Sequence, residues 1–207
     1  MNNSGLDNGL YPTLTAYLNA LPQGLDSYPE VKTRADYTLL LRPRLKAALE
    51  VPTLGTLRPH LTADYKSGEW VPETVYAALC ALAQDRVWPS EEAYHQGMSE
   101  VAAAMYQAPL YRAVMLLLSP SLIAMGAAHR WHTFHQGSDL KVTKQGKQSA
   151  DLTLSFPDKV FSKPALRSLG AVFCAALTGA GATETRFRIT LAKPGEAQFA
   201  INWGAAQ

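Results

Sequence analysis

The chain has 207 residues, of which 47% are hydrophobic and 17% are charged, and its net charge is +2. This composition is typical of a folded protein and excludes disorder over most of the chain. The small net charge gives no strong field for nucleic acid or an anionic membrane. No apolar run is long enough to span a bilayer and no secretory leader is visible, so we expect a cytoplasmic protein.

The two cysteines, Cys80 and Cys174, lie inside apolar helical patterns. This placement predicts buried, reduced thiols in a cytoplasmic protein. A disulfide between them stays open at this point, because separation along the chain gives no distance in space.

Residues 1–33 are predicted to form a partly flexible arm. Turn-prone residues open this segment, and Pro12, Pro22 and Pro29 punctuate it. Apolar residues between Leu10 and Leu21 nevertheless recur at helical spacing. The arm is therefore expected to carry one short helix that docks on the rest of the protein.

The segment 34–136 is predicted to be helical, with breaks at prolines. Two helical pieces, 35–41 and 44–49, flank Pro43, which would kink or split a helix. Pro72 suits the first position of the next helix, since its missing N–H costs nothing there.

The second part of this helical segment contains two helix start signals. Ser90 precedes two glutamates, which favours a helix toward Pro109. After a further piece at 111–118, Ser119 and Pro120 are expected to open a helix that runs to Gln136. Gly137 would end that helix as a left-handed cap.

Residues 137–203 are predicted to form two hairpins with one helix between them. Apolar and polar residues alternate at 140–143 and 150–156, and again at 185–191 and 199–203. The intervening helix starts near Ser162, with Pro164 in its first turn, and ends at Gly179 or Gly181. The predicted fold class is α+β. A single domain, 34–207, packs helices on one face of a four-stranded antiparallel sheet.

Motifs for nucleophilic, phosphate or metal chemistry are missing from the sequence. It contains no G-x-S-x-G elbow, no phosphate loop, no H-E-x-x-H and no paired C-x-x-C. The glutamates are scattered over helix starts and exposed faces, which gives no acid/base pair. We therefore expect a protein that is not an enzyme, and no cofactor is predicted.

Three histidines, His129, His132 and His135, lie in the helix predicted to end at Gly137. At about 100° per residue they would fall within a third of the helix circumference. Imidazoles bind zinc, copper, nickel or iron, so a metal-dependent enzyme or redox sensor is one alternative. A rim position beside Trp131 and Phe134, with no metal, is the simpler interpretation.

The predicted sheet has a basic open face. If Phe187, Ile189 and Leu191 face the helices, the alternation places Arg186 and Arg188 on the other side, and Lys141 and Thr143 join them. This arrangement suggests a nucleic-acid-binding regulator as a second alternative. Single-strand platforms also need exposed aromatics, and every strand aromatic here lies on the apolar side. We therefore do not expect nucleic acid as a partner.

The whole pattern resembles the myxobacterial-expanded paralogous family of unknown function. More distantly, it is similar to the 4-vinyl reductase domain, the haem–nitric-oxide sensor domain and the subunits of the transport-particle tethering complex. The residues that carry this resemblance are Leu117 to Pro120, Trp131 to Gly137, Ala165 to Gly181, Arg186 to Ile189 and Phe199 to Trp203.

The resemblance implies an α+β sensor or scaffold that binds a hydrophobic small molecule or a protein partner and forms a homodimer. The chain lacks the Tyr-x-Ser-x-Arg porphyrin signature, so haem binding in the manner of the nitric-oxide sensors is not expected. Interfaces between helices and sheets are apolar, which suits a guest molecule. The residues predicted to contact a ligand are Trp131, Phe134 and Phe173.

Overall fold

The computed structural model of the protein describes residues 9–46, 54–107 and 118–204. Most of the predicted helix at 111–118 and the end of the piece at 44–49 lie outside the described residues. The chain divides into two compact units. The first unit comprises Met1–Tyr94, His135–Gly137 and Pro157–Ala165, and the second comprises His95–Phe134, Ser138–Phe156 and Leu166–Gln207. The division into an arm and one domain stays a prediction.

The first unit is mainly helical. The helix predicted in the arm is present as α1, where Leu14 is fully buried and the N–H groups of Thr13 and Leu14 donate to the Asp85 carboxylate at 3.1 and 2.9 Å. These bonds satisfy donors that a helix start leaves unpaired. The helices of this unit are α1 (Pro12–Ala20), α2 (Ala35–Leu41), α3 (Arg58–Thr62) and α4 (Glu73–Arg86).

Three short strands also belong to the first unit: β1 (Lys32–Arg34), β2 (Trp70–Pro72) and β3 (His135–Gln136), in the order β2-β1-β3 and antiparallel. The sequence did not predict this sheet. Pro72, expected as the first helical residue, instead ends β2, and α4 begins one residue later. Strands of two or three residues are too short to show an alternation of apolar and polar positions.

Two further helices begin at the serines where the sequence predicted their starts. The N–H of Ala93 donates to the Ser90 hydroxyl at 3.1 Å, and the N–H of Leu122 donates to the Ser119 hydroxyl at 3.3 Å. Both caps satisfy donors of a first turn. The helices of the second unit are α5 (Glu91–Gln107, whose first turn belongs to the first unit), α6 (Pro120–Met125), α7 (Ala127–Phe134) and α8 (Lys163–Gly179, whose first three residues belong to the first unit).

The prediction of one helix from Pro120 to Gln136 is wrong. The chain turns at Gly126, which separates α6 from α7, and α7 ends at Phe134. His135 then pairs with Thr33 as part of β3. Gly137 has the predicted left-handed backbone, with φ of 71°, but it follows a strand and not a helix.

The four-stranded antiparallel sheet and the α+β class are confirmed. The strands are β4 (Asp139–Gln145), β5 (Ser149–Ser155), β6 (Thr183–Lys193) and β7 (Glu196–Gly204), in the order β4-β5-β7-β6. In the inner rows of the sheet, Leu152 lies opposite Phe199, and Ala150 lies opposite Ile201. These side chains are buried, and α8 packs on them through the edge-on contact of Phe173 with Phe199.

One predicted inward residue of β6 lies on the other face. The pairing of β6 with β7 shifts between Ile189 and Leu191, so that Ile189 lies opposite Phe199 and Leu191 opposite Gln198. An extra residue in one strand reverses the faces that follow it. Leu191 therefore shares the open face with Gln198, whereas Phe187 and Ile189 point toward α8 as predicted.

Within the part of the chain that the structure describes, no helix is long and apolar enough to cross a membrane.

Candidate functional site

A cavity of about 200 Å³ lies inside the second unit, and the three aromatic residues predicted to contact a ligand line it together. Trp131 and Phe134 come from α7, and Phe173 comes from α8. We call this space the aromatic cavity. Its described lining consists of Tyr106, Leu118, Ile123, Ala127, Arg130, Trp131, Phe134, Val172, Phe173 and Ala176.

Local sequence spacing explains why these side chains converge. Positions 127, 130, 131 and 134 of α7 lie three or four residues apart, and so do positions 172, 173 and 176 of α8. Residues at these spacings share one face of a helix. The turn at Gly126 lets α6 add Ile123 to the same wall.

Two of the aromatic walls are held by further contacts. The indole N–H of Trp131 donates to the Ser138 hydroxyl at 3.1 Å, and Trp131 is only 4% exposed. The ring of Phe173 meets Phe199 edge-on, with centroids 5.9 Å apart. A buried Trp needs a partner for its N–H, and edge-on ring pairs are favourable, so both side chains are fixed before any ligand arrives.

The aromatic cavity adjoins a smaller space that is lined partly by the sheet. This smaller space, of about 30 Å³, shares the residues Ile123, Ala127, Phe173 and Ala176 with the aromatic cavity. Its other described walls are apolar side chains of α6, α8 and the sheet. The apolar surface therefore continues from the helices to Leu152 and Ile201.

Arg130 brings the single charge among the described lining residues of the aromatic cavity. Its Nη2 donates to the carbonyl oxygens of Leu122 and Ile123, at 3.2 and 2.9 Å. These carbonyls belong to the last turn of α6, where a cation is favourable. Arg130 was not predicted as a site residue from the sequence, although Arg130 lies four residues before Phe134 on the same helix face.

The three histidines do not lie together on one helix face, which the alternative of a metal-dependent enzyme or redox sensor requires. His135 lies in β3 of the first unit, buried, with its Nδ1 2.8 Å from Glu73 Oε2. His129 is exposed, and His132 Nε2 lies 3.4 Å from Asp139 Oδ1 at the surface of the second unit. Among the described residues, no three histidine, cysteine, aspartate or glutamate side chains form a group that could hold a metal ion.

The basic residues of the sheet are also separated. Lys141 lies on edge strand β4, whereas Arg186 and Arg188 lie on β6 at the opposite edge. Arg188 lies opposite Ala200, and Ala200 lies opposite Asp151 on the next strand. The Asp151 carboxylate places a negative charge between the basic residues of the two edges. The arginines are exposed as predicted, but they do not form a continuous basic platform with Lys141.

A groove of about 390 Å³ in the second unit is lined by His95 of α5 and Cys174 of α8. The His95 ring stacks on Phe187, with centroids 5.5 Å apart. Burial raises the pKa of the Cys174 thiol to about 11, although a hydrogen bond with Thr185 lowers it. The thiol is therefore protonated at neutral pH, which makes it a poor nucleophile.

The first unit has a surface groove of about 780 Å³ beside the turn at Gly24–Asp26. His60 lines it, with its Nδ1 2.6 Å from the Tyr65 hydroxyl. Burial lowers the pKa of His60, and nearby Asp26 opposes that shift.

The fold is similar to that of H-NOX domains in solved structures. A Cs H-NOX mutant with the unnatural amino acid 4-cyano-L-phenylalanine has a TM-score of 0.52 and 7% sequence identity, covering 83% of this chain and 94% of that one. An Fe(II) unliganded H-NOX mutant from K. algicida has a TM-score of 0.52 and 9% identity, covering 83% of this chain and 97% of that one.

At these identities the similarity shows the fold alone. No family model and no curated protein matches the chain. The predicted similarity to the haem–nitric-oxide sensor fold therefore has structural support, whereas the resemblance to the myxobacterial-expanded family has none.

The haem–nitric-oxide sensor fold implies a haem group, whose iron needs an axial His, Cys, Met or Tyr ligand. Of these types, only Tyr106 belongs to the described lining of the aromatic cavity. The cavity's volume of about 200 Å³ is close to the ~150 Å³ that holds a single benzene, and a porphyrin contains four pyrrole rings. The aromatic cavity, as its described residues line it, does not fit a haem.

Proposed function

We propose that this protein is a binding module, not an enzyme, and that the aromatic cavity of its second unit holds a small, largely apolar molecule. The observation that carries the proposal is the convergence of Trp131, Phe134 and Phe173 on one space. Ligand sites are concave and mostly apolar, with a few polar groups. A homodimer and a protein partner stay predictions of the family resemblance.

The size of the aromatic cavity limits the guest. A cavity of ~150 Å³ lined by Leu, Ile and Phe binds benzene, and this one measures about 200 Å³. One aromatic ring with a short substituent therefore suits it. Ring-on-ring contacts would add to the burial of apolar area.

Calorimetric titration with two neutral probes, indole and 3-phenylpropan-1-ol, tests the proposal. We expect saturable binding with one site per chain. Ala176 lines both the aromatic cavity and the small space behind it, so Ala176→Leu fills the site. This variant should weaken binding at least about tenfold, which corresponds to ~1.4 kcal/mol.

Ala104→Leu is the matched control, because Ala104 is exposed on α5 and makes no part of the described lining. It should bind both probes like the unaltered protein. The proposal fails if neither probe binds, or if Ala176→Leu and Ala104→Leu bind the probes equally well.

A further inference from the structure

Arg130 gives the aromatic cavity a positive charge, which an uncharged guest would leave without a partner. Its guanidinium is the one charged group among the described lining residues, and the walls around it are mainly rings and aliphatic side chains. The side chain is half-buried. An anion placed within reach of the guanidinium would form a charge-assisted hydrogen bond with it.

The position of the guanidinium is fixed by its surroundings. Nη2 donates to the carbonyl oxygens of Leu122 and Ile123. The group also lies close over Gly126, where an added Cβ would be only 2.6 Å from Nη2 and 3.1 Å from Nη1. Arginine has five N–H donors, and the two bonds to Leu122 and Ile123 do not use those on Nε and Nη1.

Within residues 9–46, 54–107 and 118–204, no carboxylate forms an ion pair with Arg130. The Asp139 carboxylate pairs with His132 of the same helix instead. The charge of Arg130 is therefore not neutralised by the described part of the chain. Arginine donors in a fork bind a carboxylate through two parallel hydrogen bonds.

We propose that the natural ligand of the aromatic cavity is a small aromatic carboxylic acid, with its ring among Trp131, Phe134 and Phe173 and its carboxylate on Arg130. The inference rests on the proposed function, and it adds the charge and the chemical class of the ligand. The cavity volume of about 200 Å³ restricts the acid to one ring and a short chain.

The test compares 3-phenylpropionate with 3-phenylpropan-1-ol, which have the same ring and chain but differ in charge. By calorimetry, the unaltered protein should bind the acid at least about tenfold more tightly than the alcohol, as a charge-assisted hydrogen bond predicts. Arg130→Gln should abolish this preference, so that the variant binds the acid no more tightly than the alcohol. Arg186→Gln removes an exposed arginine of β6 and should keep the preference.

Gly126→Ala provides a variant that retains the charge. The backbone of Gly126, with φ of −83°, is accessible to alanine, and the three heavy atoms nearest to the new Cβ all belong to the end of the Arg130 side chain. The displaced guanidinium should lose most of the preference for the acid, while binding of the alcohol persists.

A measurement on the unaltered protein does not depend on any variant. With 3-phenylpropionate labelled with ¹³C at its carboxyl group, an NMR titration gives the pKa of the bound acid. A carboxylate on Arg130 should have a lower pKa than the free acid, whereas a carboxyl group buried in the cavity without the cation should have a higher one.

The outcomes separate the two proposals. If the alcohol binds and the acid binds no better, or if the pKa of the bound acid rises, the inference about Arg130 is overturned and the proposed function stands. Persistence of the preference in Arg130→Gln also overturns it. If neither compound binds, the proposed function fails, and the inference fails with it.

Discussion

The buried pair of His135 and Glu73 holds a strand that the sequence did not predict. Both side chains are almost fully buried, and Tyr37 stacks on the imidazole with centroids 5.9 Å apart. His135→Ala would leave the Glu73 carboxylate buried without this partner. We expect the free energy of unfolding, measured with urea, to fall by roughly 3 kcal/mol.

His132→Ala is the matched control, because His132 forms an exposed pair with Asp139. Its effect on the free energy of unfolding should stay within about 0.5 kcal/mol. If the two histidine variants lose stability equally, the buried pair does not have the role that we assign to it.

The thiol of Cys174 should titrate unusually late. Burial raises its pKa from 9.0 to about 11. The unfolded chain therefore loses this proton first, and the contribution of Cys174 to stability is lost as the pH rises from about 9 toward 11. Alkylation by iodoacetamide, located by peptide mass spectrometry, should be slow in the native protein at about pH 8 and accelerate toward pH 11.

Thr185→Val removes the hydroxyl whose hydrogen bond lowers the pKa of Cys174. It should shift the alkylation profile to still higher pH. Rapid alkylation of native Cys174 near neutral pH would show that the thiol is not buried as described.

The contact of α8 with β6 depends on a glycine. A Cβ on Gly170 would lie 2.1 Å from the ring of Phe187, so Gly170→Ala must push the helix or the ring away. Alanine favours a helix over glycine by about 1 kcal/mol, and overpacking costs about 1–3 kcal/mol. We expect a net loss of about 1 kcal/mol or more in urea unfolding, and Phe187→Leu in the same chain should restore part of it. A gain in stability would contradict this packing.

The sequence predicted the elements that have strong local signals. Ser90, Ser119 and Ser162 all act as helix caps, and the alternating segments form the four strands of the larger sheet. The strands of the first unit were missed because two or three residues show no period. The end of α7 was missed because His135 continues a helical pattern, although its side chain pairs with Glu73, which is distant in the sequence.

The candidate site was predictable only in part. The aromatic residues follow from apolar spacing on two helices, which the sequence shows directly. The part played by Arg130 depends on the turn at Gly126, which brings the guanidinium onto the end of α6. That turn has no signal stronger than a single glycine in a helical pattern.

The protein as a whole combines an H-NOX-like fold with a cavity that does not fit a haem. We expect the purified protein to take up haemin only substoichiometrically, without the absorption bands of an axially ligated haem. Spectrophotometric titration of the full chain with haemin checks this expectation. A saturable complex with one haem per chain would contradict it.

The location of the guest is the point on which the whole account depends, and intermolecular NOEs test it most directly. In the complex with 3-phenylpropan-1-ol, the ring protons of the probe should show NOEs to the side chains of Trp131, Phe134 and Phe173. Ala176→Leu should remove these NOEs. Binding of the probe with no NOE to any of the three side chains would contradict the account.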